Sequence, residues 1–135
     1  MKKLEVLRTL SLVGACALVF VLITAAAGPK WNVPDSAAKV KNPVAASAEN
    51  IETGKQLFLK NCKSCHGLKG KGDGPKAANL DVECGDFTSD AFKKESDGAI
   101  FWKTTEGRDP MPTFKNKISD SDRWTIINYI RTLGK

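Results

Sequence analysis

The segment Cys62-Lys63-Ser64-Cys65-His66 brings together the side chains best suited to chemistry in this sequence. Two thiols at this spacing can reach both vinyl groups of one haem, and a histidine directly after the second thiol then lies beneath the iron. The chain has a single histidine, and it occupies this position. The motif therefore predicts one haem attached covalently through Cys62 and Cys65, with His66 as an axial ligand of the iron.

The same cysteines allow three other interpretations. A zinc site could be built from the motif together with Cys84, although Cys65 and His66 are adjacent and would crowd one metal. A thioredoxin-like redox pair would need the motif to open a helix after a strand, and no alternation of strands and helices is evident. A structural disulfide suits an oxidising compartment but leaves His66 without a role. Outside these readings, Cys84 is expected to be a buried small apolar residue.

Met111 is the predicted second axial ligand of the iron. It is the only methionine beyond the initiating one, and Pro110 and Pro112 on either side could hold its thioether rigidly against the metal. Two alternatives stay open. Met111 could fill core space, as most methionines do, or Lys115 or Lys117 could bind the iron after losing a proton.

The elements that position these residues are predicted to be helices. Apolar periodicity indicates helices over residues 50–60, 97–105 and 119–133, and the sequence allows a short helix at 76–80. The glycine-rich stretch 67–75 is expected to be a loop. The expected fold is all-α, with three to four short helices and long loops wrapped around one covalent haem.

Residues 1–28 are expected to act as a signal peptide or a transmembrane anchor. They begin with basic residues and continue with an uncharged, mostly apolar run from residue 9 onwards. This run is about long enough to span a bilayer as a helix, which favours an anchor, whereas the small residues at 25–27 suit cleavage. Lipidation of Cys16 is a third reading, but the apolar run mostly follows that cysteine. The remaining chain is expected on the periplasmic side of the cytoplasmic membrane.

Residues 29–49 are expected to form an extended linker. They contain three prolines, many alanine and serine residues and no sustained apolar period. Trp31 could lie at the membrane surface or pack against the domain, and the sequence does not decide between the two. Residues 50–135 are expected to form the haem-binding domain.

Five parts of this domain follow a known pattern: Gly54 and Phe58 in the first helix, CKSCH at 62–66, GKGDGP at 70–75, DPMPTF at 109–114 and WTIINYIRTL at 124–133. On these parts the chain resembles a monohaem c-type cytochrome of class I. The resemblance implies the class I cytochrome c fold, with Gly54 and Phe58 crossing the last helix near Tyr129. It also implies that a carbonyl in the segment around Pro75 accepts a hydrogen bond from Nδ1 of His66.

A histidine and a methionine together would close both axial positions of the iron, which disfavours substrate binding at the metal and leaves electron transfer. The expected function is therefore that of a single-electron carrier rather than an enzyme, with haem c as the cofactor. A fixed haem-bearing subunit of a larger respiratory or reductase complex is the main alternative. A haem peroxidase or gas sensor would require a labile Met111, and there is no second histidine to act as a distal acid or base.

The charge pattern predicts redox partner proteins with an acidic docking face. The net charge is +6, and lysines lie close in sequence to the two ligand segments. A solvated lysine face without a partner is the alternative. Nucleic-acid binding is not indicated, because the basic residues lack interleaved aromatic residues; a membrane would be contacted through an uncleaved N-terminal segment. The lysines concerned are Lys60, Lys63, Lys69, Lys71, Lys76, Lys115 and Lys117.

Overall fold

The computed structural model describes residues 30–135, so the predicted signal peptide or anchor at residues 1–28 lies outside the described residues. Within this part the chain is helical and has no β-strand beyond one isolated bridge between Arg108 and Met111, which confirms the all-α prediction. None of the helices described is long and apolar enough to cross a membrane. The helices are α1 (Asp35–Ala38), α2 (Ala48–Asn61), α3 (Lys63–His66), α4 (Asp90–Lys93), α5 (Asp97–Glu106) and α6 (Asp120–Leu133), with a 3-10 turn at Ala77–Asn79.

Serine residues begin four of these helices. In each case the hydroxyl accepts a hydrogen bond from the backbone amide three residues later, and an acidic residue follows within the first turn. The hydroxyl satisfies an otherwise unpaired amide, and the acid complements the positive end of the helix dipole. The capping residues are Ser47 for α2, Ser89 for α4, Ser96 for α5 and Ser119 for α6.

Helices α2 and α6 pack against each other and form the centre of the domain. Phe58 of α2 is completely buried, and its ring centroid lies 5.3 Å from that of Tyr129 in α6. Gly54 lies where the two backbones come closest, and a Cβ atom there would be 3.1 Å from Cβ of Tyr129. The crossing near Tyr129 implied by the family resemblance is therefore present. We call the residues around it the main core cluster: Phe58, Phe114, Ile118, Ile126, Tyr129 and Ile130.

Arg123 holds the start of α6 against the turn that precedes it. Only 2% of its surface is exposed, and its guanidinium donates to the backbone carbonyls of Phe114 and Lys115, both at 3.2 Å. It also donates to the carbonyl of Ile118 and, at 2.6 Å, to the carboxylate of Asp120. The turn that follows the Met111 loop is thereby fixed to α6.

Residues 30–45, which we call the N-terminal arm, lie against the domain. The side chain of Asn42 donates to the Trp124 carbonyl at 3.1 Å and to the Asn128 side chain at 2.9 Å. Helix α1 of the arm passes so close to α5 that a Cβ atom on Gly98 would lie 2.2 Å from the carbonyl oxygen of Ala37. The prediction of an extended linker over residues 29–49 did not include these contacts. These contacts are the hydrogen bonds of one polar side chain and a close backbone approach at Gly98 of α5. Contacts of these kinds produce no apolar period in the sequence.

Candidate haem-binding site

The Cys62–His66 motif forms a single helical turn immediately after α2. The amide of Cys62 still donates to the Phe58 carbonyl of α2 at 2.8 Å. The amides of Cys65 and His66 then both donate to the Cys62 carbonyl, at 3.2 and 3.0 Å. The two cysteines and the histidine are half-buried. Because α2 is fixed by its packing on α6, the turn that carries all three side chains is fixed with it.

The Cys62 thiol lies in an environment that keeps it protonated. Burial, followed by the neighbouring Cys65, raises the pKa of the Cys62 thiol to about 12. Cys84 is half-buried as well, and burial, the charge of Cys65 and a hydrogen bond with the Cys65 side chain raise its pKa. Desolvation and a like charge both oppose formation of a thiolate. The sequence grouped Cys84 with the motif only in the zinc alternative, because the chain distance between Cys65 and Cys84 gives no direct sign of the contact.

His66 presents a neutral imidazole. Burial lowers its pKa to about 4, against an opposing effect of the Cys84 backbone. Nδ1 is buried and has no hydrogen-bond partner among the described residues. The ring stacks on Phe87, with centroids 4.5 Å apart and planes 25° from parallel. A neutral imidazole at neutral pH retains the lone pair that a metal ligand requires.

The carbonyl that the resemblance implied near Pro75 does not reach Nδ1 of His66. Instead, this loop donates its own amides to the carbonyls of the motif: Gly72 to His66 at 2.9 Å, Gly74 to Cys65 at 3.0 Å and Lys76 to Ser64 at 2.8 Å. A Cβ atom on Gly74 would lie 2.5 Å from the Ser64 carbonyl oxygen, so only glycine allows this approach. The loop thus caps the unpaired carbonyls at the end of α3 rather than the histidine ring.

Met111 lies in a loop that folds back onto the end of α5. Its amide and carbonyl pair with those of Arg108, at 2.7 and 2.8 Å. The amide of Phe114 donates to the Thr104 carbonyl, and the hydroxyl of Thr113 donates to the Thr105 carbonyl at 2.6 Å. The Met111 side chain is half-buried and packs against the main core cluster. Cys62 packs against the same cluster, so the predicted attachment turn and the predicted sixth ligand both contact one apolar cluster.

The donor set fits a covalently attached haem better than the zinc alternative. It combines two thiols on one turn, a neutral imidazole with an unpartnered buried nitrogen, and a thioether beside the same core. Within residues 30–135 no group of three or more His, Cys, Asp or Glu side chains is arranged to hold a metal ion, so the zinc site is not supported. A cavity of about 690 Å³ is lined by Cys84 and by neighbouring loop residues, but by none of Cys62, Cys65, His66 and Met111.

Comparison with known proteins defines the class. The Cytochrome c family model matches residues 51–134, and the chain belongs to that family as a monohaem class I c-type cytochrome. It carries one covalently bound haem c. The chain is 34% identical over 87 residues to cytochrome c6 of Synechocystis sp., covering 63% of this chain and 67% of that protein. It is 30% identical over 86 residues to cytochrome c6 of Bumilleriopsis filiformis, covering 60% and 88%. These relatives support electron transfer by a haem c protein.

Solved structures agree with this assignment. The chain resembles a chain of the Kuenenia stuttgartiensis reducing HAO-like protein complex Kustc0457/Kustc0458, with a TM-score of 0.63 and 27% identity, over 82% of this chain and 53% of that one. It therefore spans about half the length of that relative. It also resembles the KustC0563 c-type cytochrome, with a TM-score of 0.54 and 27% identity, over 61% of this chain and 98% of that one. The first likeness covers more than the family match, so it includes part of the chain before residue 51.

Proposed function

We propose that this protein carries single electrons on a haem c whose iron is ligated by His66 and Met111. The observation that carries the proposal is that the only internal methionine packs on the same core cluster as Cys62, the residue that begins the attachment turn. When bound, the haem supplies an iron that alternates between the ferric and ferrous states.

The residues of the chain set how that iron behaves. The neutral imidazole of His66 offers its lone pair without first losing a proton. The thioether of Met111 favours the ferrous state relative to a second imidazole, which raises the reduction potential. Together the two side chains would hold the iron and would leave no site on it for small molecules. This combination suits electron transfer and disfavours peroxidase chemistry or gas sensing.

The decisive experiment is the spectrum of the ferric protein with and without the thioether. Methionine ligation gives a far-red sulfur-to-iron charge-transfer band, and we expect Met111→Ala to abolish it. Lys115→Ala and Lys117→Ala are the matched controls, because these residues are the alternative ligands from the same loop. Persistence of the band in Met111→Ala would show that Met111 is not the ligand, and its absence in the wild type would reject methionine ligation altogether.

The proposed partner is a redox protein with an acidic docking face. The seven lysines close to the ligand segments in sequence are all exposed. Lys115 forms an ion pair with Glu106 at 3.8 Å, but both side chains are largely exposed, so the pair leaves the lysine free to engage a partner. Such a face would speed a weak encounter by long-range attraction.

We place this carrier on the periplasmic side of the cytoplasmic membrane, tethered by residues 1–28. The support is the pattern of basic residues followed by an uncharged apolar run. The intact mass of membrane-extracted protein would test the tether, because one spectrum reports both the haem adduct and the retention of the N-terminal segment. A mass that lacks this segment would show a cleaved signal peptide and a freely soluble carrier.

A fixed subunit of a larger complex is the second candidate. The likeness to a chain of a multi-protein complex favours it, because that likeness covers 82% of this chain. Native extraction in mild detergent distinguishes the two. A haem-stained species at the mass of the monomer supports a mobile carrier, whereas co-migration with other subunits supports the fixed role.

A further inference from the structure

Trp31 of the N-terminal arm contacts both Trp102 of α5 and Arg108, the backbone partner of Met111. Its ring meets the ring of Trp102 in α5 edge to face, with centroids 6.3 Å apart and planes at 85°. The guanidinium of Arg108 lies over the Trp31 ring, 4.2 Å from its centroid. The ammonium of Lys103 is 5.8 Å from the same centroid. The tryptophan that the sequence left undecided therefore packs against the domain, with two cations over its ring.

Arg108 links this aromatic contact to the proposed iron ligand. The backbone of Arg108 forms both hydrogen bonds of the bridge to Met111. Its guanidinium lies over the Trp31 ring. Arg108 therefore contacts both Trp31 and Met111. The residues around Met111 in the loop, Asp109, Pro110 and Pro112, are exposed. Contacts that fix Arg108 therefore bear directly on the position of Met111.

The arm is also attached to the domain through residues that follow Trp31 in the chain. Ser96 at the start of α5 donates to the Ala38 carbonyl at 2.6 Å, and the Asn128 side chain donates to the Val44 carbonyl at 3.0 Å. These bonds join the arm to α5 and α6 independently of Trp31.

We propose that Trp31 is a positioning residue for Met111, acting through Arg108. The aromatic face attracts the guanidinium, the fixed side chain restrains the backbone of Arg108, and the bridge passes this restraint to the methionine. This inference rests on the proposed ligation by Met111. Trp31 lies outside residues 51–134, which the family model matches, so this positioning contact comes from the N-terminal arm.

The test measures how readily the Met111 loop opens. Exogenous imidazole competes for the iron in the ferric full-length holoprotein, and loss of the far-red band reports its binding. A cation and an aromatic ring attract each other strongly enough that we expect Trp31→Ala to raise the apparent affinity for imidazole about 2- to 30-fold. Arg108→Ala should have a similar effect, and the double variant should add little, because both changes break one link. Trp31→Phe keeps an aromatic face and should fall between the wild type and Trp31→Ala.

Ile127→Val controls for a general loss of stability. Ile127 is completely buried in a second cluster with Ile100 and Trp124, and the aromatic contacts of Trp31 do not involve it. An equal rise in imidazole affinity for Ile127→Val and Trp31→Ala would overturn the inference, as would full additivity of the Trp31 and Arg108 changes. Should Trp31→Ala fail to fold, Trp31→Phe and Arg108→Ala provide the same comparison.

The two proposals can fail separately. If the wild type shows the far-red band and Met111→Ala loses it, methionine ligation stands. Unchanged imidazole affinity in Trp31→Ala then rejects the positioning role alone. If Met111→Ala keeps the band, the ligation proposal and the role of Trp31 fall together.

Discussion

A methyl group added to Gly54 would lie 2.2 Å from the carbonyl oxygen of Thr125. Helices α2 and α6 therefore meet at backbone distance, without an intervening side chain. Because α2 runs directly into the attachment turn, this contact sets where Cys62 begins relative to the main core cluster. The position of the predicted haem-binding residues therefore depends on a residue outside the attachment turn.

Gly54→Ala should destabilise the protein. Alanine would gain about 1 kcal/mol in helix propensity, but the new methyl group must push α2 away from backbone atoms that cannot rotate aside. Overpacking of this kind destabilises by about 1–3 kcal/mol, so we expect a net loss of up to about 2 kcal/mol in the free energy of unfolding. Denaturant titration of the holoprotein followed by circular dichroism measures it. The exposed neighbour Thr53→Ala is the control, and a midpoint for Gly54→Ala raised above that of the wild type would contradict the close approach.

Arg123→Met should destabilise the protein far more than removal of its acidic partner. The substitution leaves the buried carbonyl of Ile118 without the Arg123 donor, at about 1–3 kcal/mol for an unsatisfied buried group, whereas the Phe114 carbonyl keeps the amides of Lys117 and Ile118 as donors. Asp120 is 81% exposed, so Asp120→Asn should change the free energy of unfolding by less than about 1 kcal/mol. Denaturant unfolding of both variants gives the comparison. Equal effects would mean that the ion pair, rather than the carbonyl contacts, is the stabilising interaction.

The sequence predicted the helices that carry periodic apolar residues, but it did not predict the contacts that backbone atoms make. Helices α2, α5 and α6 were predicted within two residues at each end, because capping serines and apolar faces mark them. Helices α1 and α4 are single turns of four residues, too short for a periodic signal. The packing of the N-terminal arm was missed for a related reason, since most of its hydrogen bonds to the domain involve main-chain carbonyls.

In the haem-binding site, too, the sequence predicted some features and missed others. The spacing of Cys62, Cys65 and His66 in the chain predicts their chemistry, because all three lie on one helical turn. The neighbourhood of His66 was harder to predict. Phe87 stacks on its ring from a distant loop, and the glycine-rich loop near Pro75 donates to the motif instead of accepting from it. Loop conformation of this kind depends on tertiary contacts that residue types alone do not specify.

Cys84 should be dispensable for haem attachment, although its thiol lies beside that of Cys65. Only Cys62 and Cys65 share the helical turn with His66, so Cys84→Ser should retain the full haem adduct in the intact mass. Cys65→Ser should lower the amount of covalently bound haem recovered after denaturation, because one of two thioether bonds can no longer form. Loss of the adduct in Cys84→Ser with retention in Cys65→Ser would show that the attachment site had been assigned to the wrong pair.

Electron transfer to an acidic partner should slow as salt is added, because exposed lysines would attract that partner over a distance that added ions screen. We expect the second-order rate to fall about 10-fold or more between about 0.02 and 0.5 M salt.

Charge reversal should show where on the surface the partner binds. Lys63→Glu and Lys71→Glu alter exposed residues within and next to the attachment motif and should slow the reaction at low salt. Lys55→Glu, on α2 and 3.8 Å from Glu52, is the matched control and should have a smaller effect. All three reversals should lose their effect at high salt. A rate that is independent of salt, or equally lowered by all three reversals, would mean that the lysines around the motif form a solvated surface and do not steer a partner to it.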